Sequence, residues 1–102
     1  MSRLVLTELA ENDLIGIWVH IAPDNEAAAD RIVEELHATT YKLLRFPLMG
    51  RTADHLHPGA RAFVHGNYLI VYRVMDYGIA VLRVAHGAQD LELLEYPAPP
   101  EE

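Results

Sequence analysis

Residues 65–87, HGNYLIVYRVMDYGIAVLRVAHG, decide how the chain is read. YLIVYRVM (68–75) and IAVLRVAH (79–86) are rich in β-branched and aromatic residues, and Asp76-Tyr77-Gly78 between them is turn chemistry. The upstream run ARAFVH (60–65) alternates, and Gly66-Asn67 supplies a two-residue hairpin loop, so three strands form a meander. Arg73 and Arg83 lie inside the stretch, Arg61 lies just before it, and a His-Gly pair closes each end. A small sheet carrying arginines and histidines is either the floor of a ribonuclease site or a docking surface.

Working outward, RLVL (3–6) is a short apolar run that suits a strand. Thr7 can cap a helix whose first turn holds Glu8 and Glu11, where the helix dipole favours anions. Ala10, Leu14, Ile17 and Ile21 recur at helical spacing. Pro23 ends that helix, and Asp24 or Asn25 can cap the next, whose inner face carries Ala28, Ile32, Leu36, Thr40 and Leu43. Pro47 stops it at Phe46. The short link implies an antiparallel helical hairpin, and PLMGRTADHLHPG (47–59) reads as a crossing loop. DLELLEY (90–96) is expected to form a short terminal helix. The expected layout is α+β, in the order β-α-α-β-β-β, with an antiparallel sheet of about four strands covered by the hairpin. Residues 1–96 form one domain, and 97–102, PAPPEE, form a flexible polar tail.

Bulk properties narrow the function. The 102 residues support a single core, and a hydrophobic fraction of 51% is that of a globular protein. No cysteine means no disulfide, thiolate nucleophile or Cys-ligated zinc, which suits a reducing cytoplasm. No segment reads as a signal peptide or a membrane span. With seven arginines, one lysine and a net charge of −7, the chain has the wrong balance for living on phosphate contacts. The only serine, Ser2, is terminal, which leaves a Ser-His-Asp triad implausible. Lys42 reads as a solvated helix residue. His55 and His57, with His65 nearby, hint at a metal, but a site needs three or four converging ligands, so no metal is expected.

Several stretches, in order, resemble the ParE branch of the RelE/ParE toxin superfamily. These are Asp13…Ile17-Trp18, Ala29-Asp30-Arg31, Pro47-Leu48-Met49-Gly50-Arg51, Gly59-x-Arg61, Val71-Tyr72-Arg73-Val74 and Val84-Ala85-His86-Gly87-Ala88-Gln89-Asp90. The likeness runs over roughly residues 3–94. It implies the toxin of a type II toxin–antitoxin module, held inactive in a hetero-oligomer by a ParD-like antitoxin, acting on DNA gyrase without cofactor, nuclease activity or direct nucleic-acid contact. In RelE-type relatives that cut mRNA, cations spread over the sheet. The corresponding positions here fall near Ala60, Ala62, Leu69 and Gln89, all neutral, with Tyr96 left as the surviving candidate.

The expected target-facing residues are Arg61, Arg83, His86 and Tyr96, with His86 beside Arg61. The expected antitoxin-facing residues are Trp18, Leu36, Tyr72 and Arg73. Trp18 has a core role as its competing reading, and His86 has local capping of the strand end. Arg61 is expected to share a strand face with Phe63 and His65, and Arg83 with Ile79 and Val81; one arginine should pair with a helix carboxylate. The competing functions are a RelE-like ribosome-dependent endoribonuclease built on Arg61, Arg83, His86 and Tyr96, and a relative that binds antitoxin without being toxic.

Overall fold

The computed structural model describes residues 2–101. It is an α+β fold in which a helical hairpin covers one face of a five-stranded sheet. Strand β1 (Arg3–Leu6) leads into helix α1 (Glu8–Ile21) and helix α2 (Glu26–Arg45). Strands β2 (Arg51–Thr52), β3 (Ala60–His65), β4 (Tyr68–Met75) and β5 (Gly78–His86) follow, and a single 3-10 turn spans Leu91–Leu93.

Local chemistry sets the helix ends. The Thr7 hydroxyl accepts from the Ala10 amide at 3.2 Å and donates to the Leu82 carbonyl at 2.9 Å, capping α1 while tying it to β5. Asn25, rather than Asp24, caps α2 by accepting from the Ala28 amide at 2.9 Å. Pro47 ends α2 with Phe46 as its C-cap, as its position requires.

The strand order is β1-β5-β4-β3-β2. β3, β4 and β5 form the expected meander, with His65 opposite Tyr68 across the Gly66-Asn67 loop. The sheet is not wholly antiparallel: β1 runs parallel to β5, with Leu4 opposite Ile79 and Leu6 opposite Val81. The hairpin carries the chain from one sheet edge to the other, and the antiparallel steps then return it beside β1 in the same direction. Gly78 belongs to β5 rather than to the turn. Its φ of 143° and the Arg3 carbonyl, 2.2 Å from where a Cβ would sit, admit only glycine there. The loop expected over 47–59 contains the short edge strand β2, pairing Arg51 with Ala62.

Two apolar layers flank the sheet. Beneath the helices lie Ala10, Leu14, Leu36, Leu43, Ile70, Tyr72, Ile79, Val81 and Val84. A side chain such as Leu36 or Leu43, fully buried, contributes about 2–3 kcal/mol by burial. On the other face Ala53, Ala60, Ala62, Leu69 and Val71 pack with Leu56, Leu91 and Tyr96. A bulge changes which layer Arg83 joins. Val71 lies opposite Arg83 but Tyr72 lies opposite Val81, which leaves Leu82 as the extra residue. Arg83 therefore shares Val71's face and not that of Ile79 and Val81.

The terminal helix expected over 90–96 is reduced to the 3-10 turn. Asp90 accepts from the Glu92 amide, the Leu91 carbonyl takes the Tyr96 hydroxyl proton, and the Glu95 carbonyl takes an arginine proton. The Tyr96 hydroxyl thus takes the Leu91 carbonyl, which a longer helix would pair with the Glu95 amide, and Pro97 prevents extension. The segment expected to be a flexible tail runs along the sheet, where Tyr77 donates to the Pro100 carbonyl at 2.6 Å; Glu102 lies outside the described residues.

Candidate functional site

Arg83 is the most heavily engaged of the predicted residues. Its Nε and Nη2 each donate to Asp13 on α1 at 2.8 Å, and Nη1 donates to the Glu95 carbonyl at 2.8 Å. The second Asp13 oxygen also accepts the Val84 amide at 2.9 Å. That amide faces outward past the end of β1, so the carboxylate takes the place of a missing strand. The hydrogen bonds to Asp13 raise the Arg83 pKa above its already high value, and burial opposes them. The expected arginine–carboxylate pair is present. Tyr96 is close by, its ring on the Ala62–Val71 layer, its hydroxyl donating to the Leu91 carbonyl at 2.7 Å and its pKa raised by burial.

Arg61 does not join them. It shares the helix-side face with Phe63 and His65, as expected, but its Nη1 donates to the Gly50 carbonyl at 2.6 Å beneath the chain leaving α2. His86, expected beside Arg61, instead meets Tyr68 edge-to-face at 5.4 Å. Its Nδ1 accepts the Ala88 amide and its own amide donates to Gln89 Oε1, so it shapes the bend after β5. Arg83 and Tyr96 alone come together, with all three Arg83 nitrogens and the Tyr96 hydroxyl bonded to the protein's own oxygens.

The antitoxin-facing set divides as well. Leu36 and Tyr72, expected as contacts, are both fully buried and present nothing to a partner. Helical spacing that marks a face as apolar cannot separate core from interface, and Tyr72 faces inward because its hydroxyl is needed there. That hydroxyl donates to the Pro47 carbonyl at 2.7 Å and accepts from the Gly50 amide at 2.9 Å. A Cβ on residue 50 would sit 2.6 Å from the Tyr72 oxygen, so glycine is needed for this close approach. Trp18 is half-buried, with Nε1 donating to Asp30 at 2.7 Å. Arg73 lies on the face away from the helices, with its buried Nε unpartnered.

Trp18 also lines a feature that the sequence reading missed. A cleft of ≈300 Å³ opens on the helical layer between Leu6, Leu14, Ile15, Trp18 and Val33, with Glu11 and His37 at its polar margin. Ile15 is 62% exposed and Val19 58%. The available signal was this second apolar pair on α1, four residues apart and off the core stripe.

The positions where RNA-cutting relatives are cationic offer no charge. Ala60, Ala62 and Leu69 are buried side chains of the far layer, and Gln89 spends its oxygen on the His86 amide. The metal hint also disperses. His65 turns to Glu35 at 3.2 Å and Thr39 at 3.4 Å, while His57 lies near the Tyr96 ring. Among the described residues no three His, Asp or Glu side chains converge.

Comparison with known proteins agrees with this architecture. Residues 4–91 match the family model described as the ParE toxin of the type II toxin–antitoxin system parDE. The chain is similar to Toxin ParE3 of Caulobacter vibrioides, 25% identical over 92 residues, covering 89% of this chain and 92% of the relative. A solved structure described as the chromosomal ParDE TA system from P. aeruginosa superposes with a TM-score of 0.73 at 23% identity, covering 84% of this chain and 96% of that one, and so shares the fold. With the family match running from β1 through the turn after β5, the chain belongs to the ParE family of toxins of type II toxin–antitoxin systems.

Proposed function

We propose that this ParE-family toxin acts in the cytoplasm by binding a protein target, DNA gyrase, rather than by cutting RNA, and that a ParD-like antitoxin neutralises it. The observation that carries the reading is the state of the sheet's cations. Stabilising a phosphorane needs free donors aimed at developing charge, and losing one donor of that kind costs about 3 kcal/mol. Here Arg83 is committed to Asp13 and Glu95, Arg61 to Gly50, and the remaining candidate positions are aliphatic or amide. A net charge of −7 further disfavours approach to ribosomal RNA.

The antitoxin reading rests on the family and on the α1–α2 cleft. An amphipathic segment that orders on binding would lay apolar side chains between Ile15, Trp18 and Val33. The solved relative bears the description of a ParDE system, which supports such a partner for this chain.

Inducing the protein alone in cells tests both limbs. Arrested replication, a DNA-damage response and inhibited gyrase supercoiling with intact mRNA are expected. Codon-phased mRNA cleavage seen by primer extension, and lost in Arg83→Ala, would overturn the binding account.

A further inference from the structure

The sheet face turned away from the helices is covered by the chain's own residues 91–101. Four fixings hold this segment. Arg83 donates to the Glu95 carbonyl, Leu91 and the Tyr96 ring sit on the aliphatic layer, and Tyr77 donates to the Pro100 carbonyl. Among the described residues no backbone hydrogen bond joins the segment to a strand. A segment held by a few side-chain contacts belongs to the part of a fold that opens without global unfolding.

The far end of the segment crosses a cleft of ≈450 Å³ lined by His57, Arg73, Met75, Asp76, Pro99 and Glu101. Arg73 lies against the Gly59 backbone, its Nε buried without a partner, and among the described residues no carboxylate comes within ion-pair distance of it. Arg3 stands nearby over the Tyr77 ring at 4.7 Å, and among the described residues no carboxylate lies within ion-pair distance of it either. In a chain of net charge −7, two guanidiniums without a carboxylate partner among the described residues, beside an apolar floor, mark a place for an anionic group with an apolar neighbour.

We infer that residues 91–101 are a displaceable strap over a second docking surface, which takes an acidic, aromatic-anchored segment of a partner protein. The strap, LELLEYPAPPE, has that chemistry itself: Tyr96 occupies the floor made by Ala62, Leu69 and Val71, and Glu101 lines the cleft of Arg73. A partner segment places its aromatic ring on the same floor and its carboxylates toward Arg73 and Arg3. The surface lies opposite the helical cleft, and the inference stands whichever protein the toxin acts on. The aliphatic floor and the overall charge disfavour a polyphosphate as the occupant.

The test uses the full-length protein and, as probe, a fluorescein-labelled peptide with the sequence of residues 90–102. The untouched chain binds the probe weakly, because the strap competes. Tyr96→Ala loosens the strap without altering the sheet, and affinity for the probe rises about tenfold. Replacing Ala98–Glu101 by glycine and serine, which keeps Tyr96 on the floor, raises it as well. Adding Arg73→Gln to either variant lowers affinity about tenfold, and Arg73→Lys lowers it less, with circular dichroism unchanged. No binding to either loosened variant, affinity indifferent to Arg73→Gln, or displacement of the probe by an equal concentration of a single-stranded RNA dodecamer would each overturn the proposal.

Discussion

Asp13→Ala should be the most damaging single polar substitution in the protein. The Asp13 carboxylate takes two bonds from Arg83 and one from the Val84 amide, and both side chains of the ion pair are about one-seventh exposed (13% and 15%). Removing one partner of a buried pair costs about 3–5 kcal/mol because it strands the other charge. Partial exposure places this pair at the lower end, near 3 kcal/mol, and the orphaned strand amide adds about 1 kcal/mol. The better helix propensity of alanine offsets about 0.5 kcal/mol. The net loss is therefore about 3–4 kcal/mol, enough to lower the thermal midpoint by more than about 10 °C in a domain this size. Arg83→Met should cost slightly less, about 3 kcal/mol, because it strands the Asp13 carboxylate but leaves the Val84 amide its acceptor. Urea unfolding of the two single variants and the double variant measures the coupling. Additive losses, with no coupling beyond about 0.5 kcal/mol, would refute the account of Asp13 as a bolt between α1 and β5.

Tyr72→Phe should cost about 2 kcal/mol, since it leaves the buried Gly50 amide and the Pro47 carbonyl without partners; an unchanged denaturation midpoint would contradict this. Leu36→Ala should cost about 3 kcal/mol through its cavity while leaving the antitoxin affinity of the folded protein unaltered, whereas Ile15→Asp should do the reverse and weaken antitoxin binding more than tenfold. Calorimetry with the operon partner beside thermal melts separates these two outcomes. Burial raises the pKa of Tyr72, Tyr77 and Tyr96 above the ordinary value of 10.0. Their stabilising contribution is complete below pH 10 and declines above it, because the unfolded chain then releases protons that the native state retains. Tyrosinate absorbance should show late-titrating phenols along with falling stability, and all five tyrosines ionising together near pH 10 would exclude it.

The parts of the fold that were legible in the sequence depend on neighbours in the chain. Thr7, Asn25, Pro23 and Pro47 act on backbone groups within a turn of themselves, so their effects can be read without the fold. The meander was legible for the same reason: its turn residues and alternation are local. The parallel pairing of β1 joins Leu4 to Ile79 across most of the chain, and nothing in RLVL reports a direction. The bulge at Leu82 was likewise invisible. A run such as IAVLRVAH alternates only approximately, and one unpaired residue moves Arg83 to the opposite face.

The candidate site was less legible than the fold, because an arginine's residue type does not reveal its partner. A guanidinium suits phosphate, but its planar fork equally suits several protein oxygens at once. Arg83 spans three elements in this way, taking Asp13 from α1 with two nitrogens and the carbonyl of Glu95 with the third, while itself standing on β5. A lysine at position 83 would supply a point charge without that geometry, so the preference for arginine over lysine in this chain fits cross-linking of elements as well as it fits recognition. Arg61 uses one nitrogen, Nη1, on the Gly50 carbonyl. What distinguishes a strut from a ligand is whether its donors are already taken. By that measure Arg83 is a strut, bonded to the protein's own oxygens through all three nitrogens, whereas Arg73, whose side chain reaches the far face with its Nε unpartnered, has none of its nitrogens so engaged among the described residues.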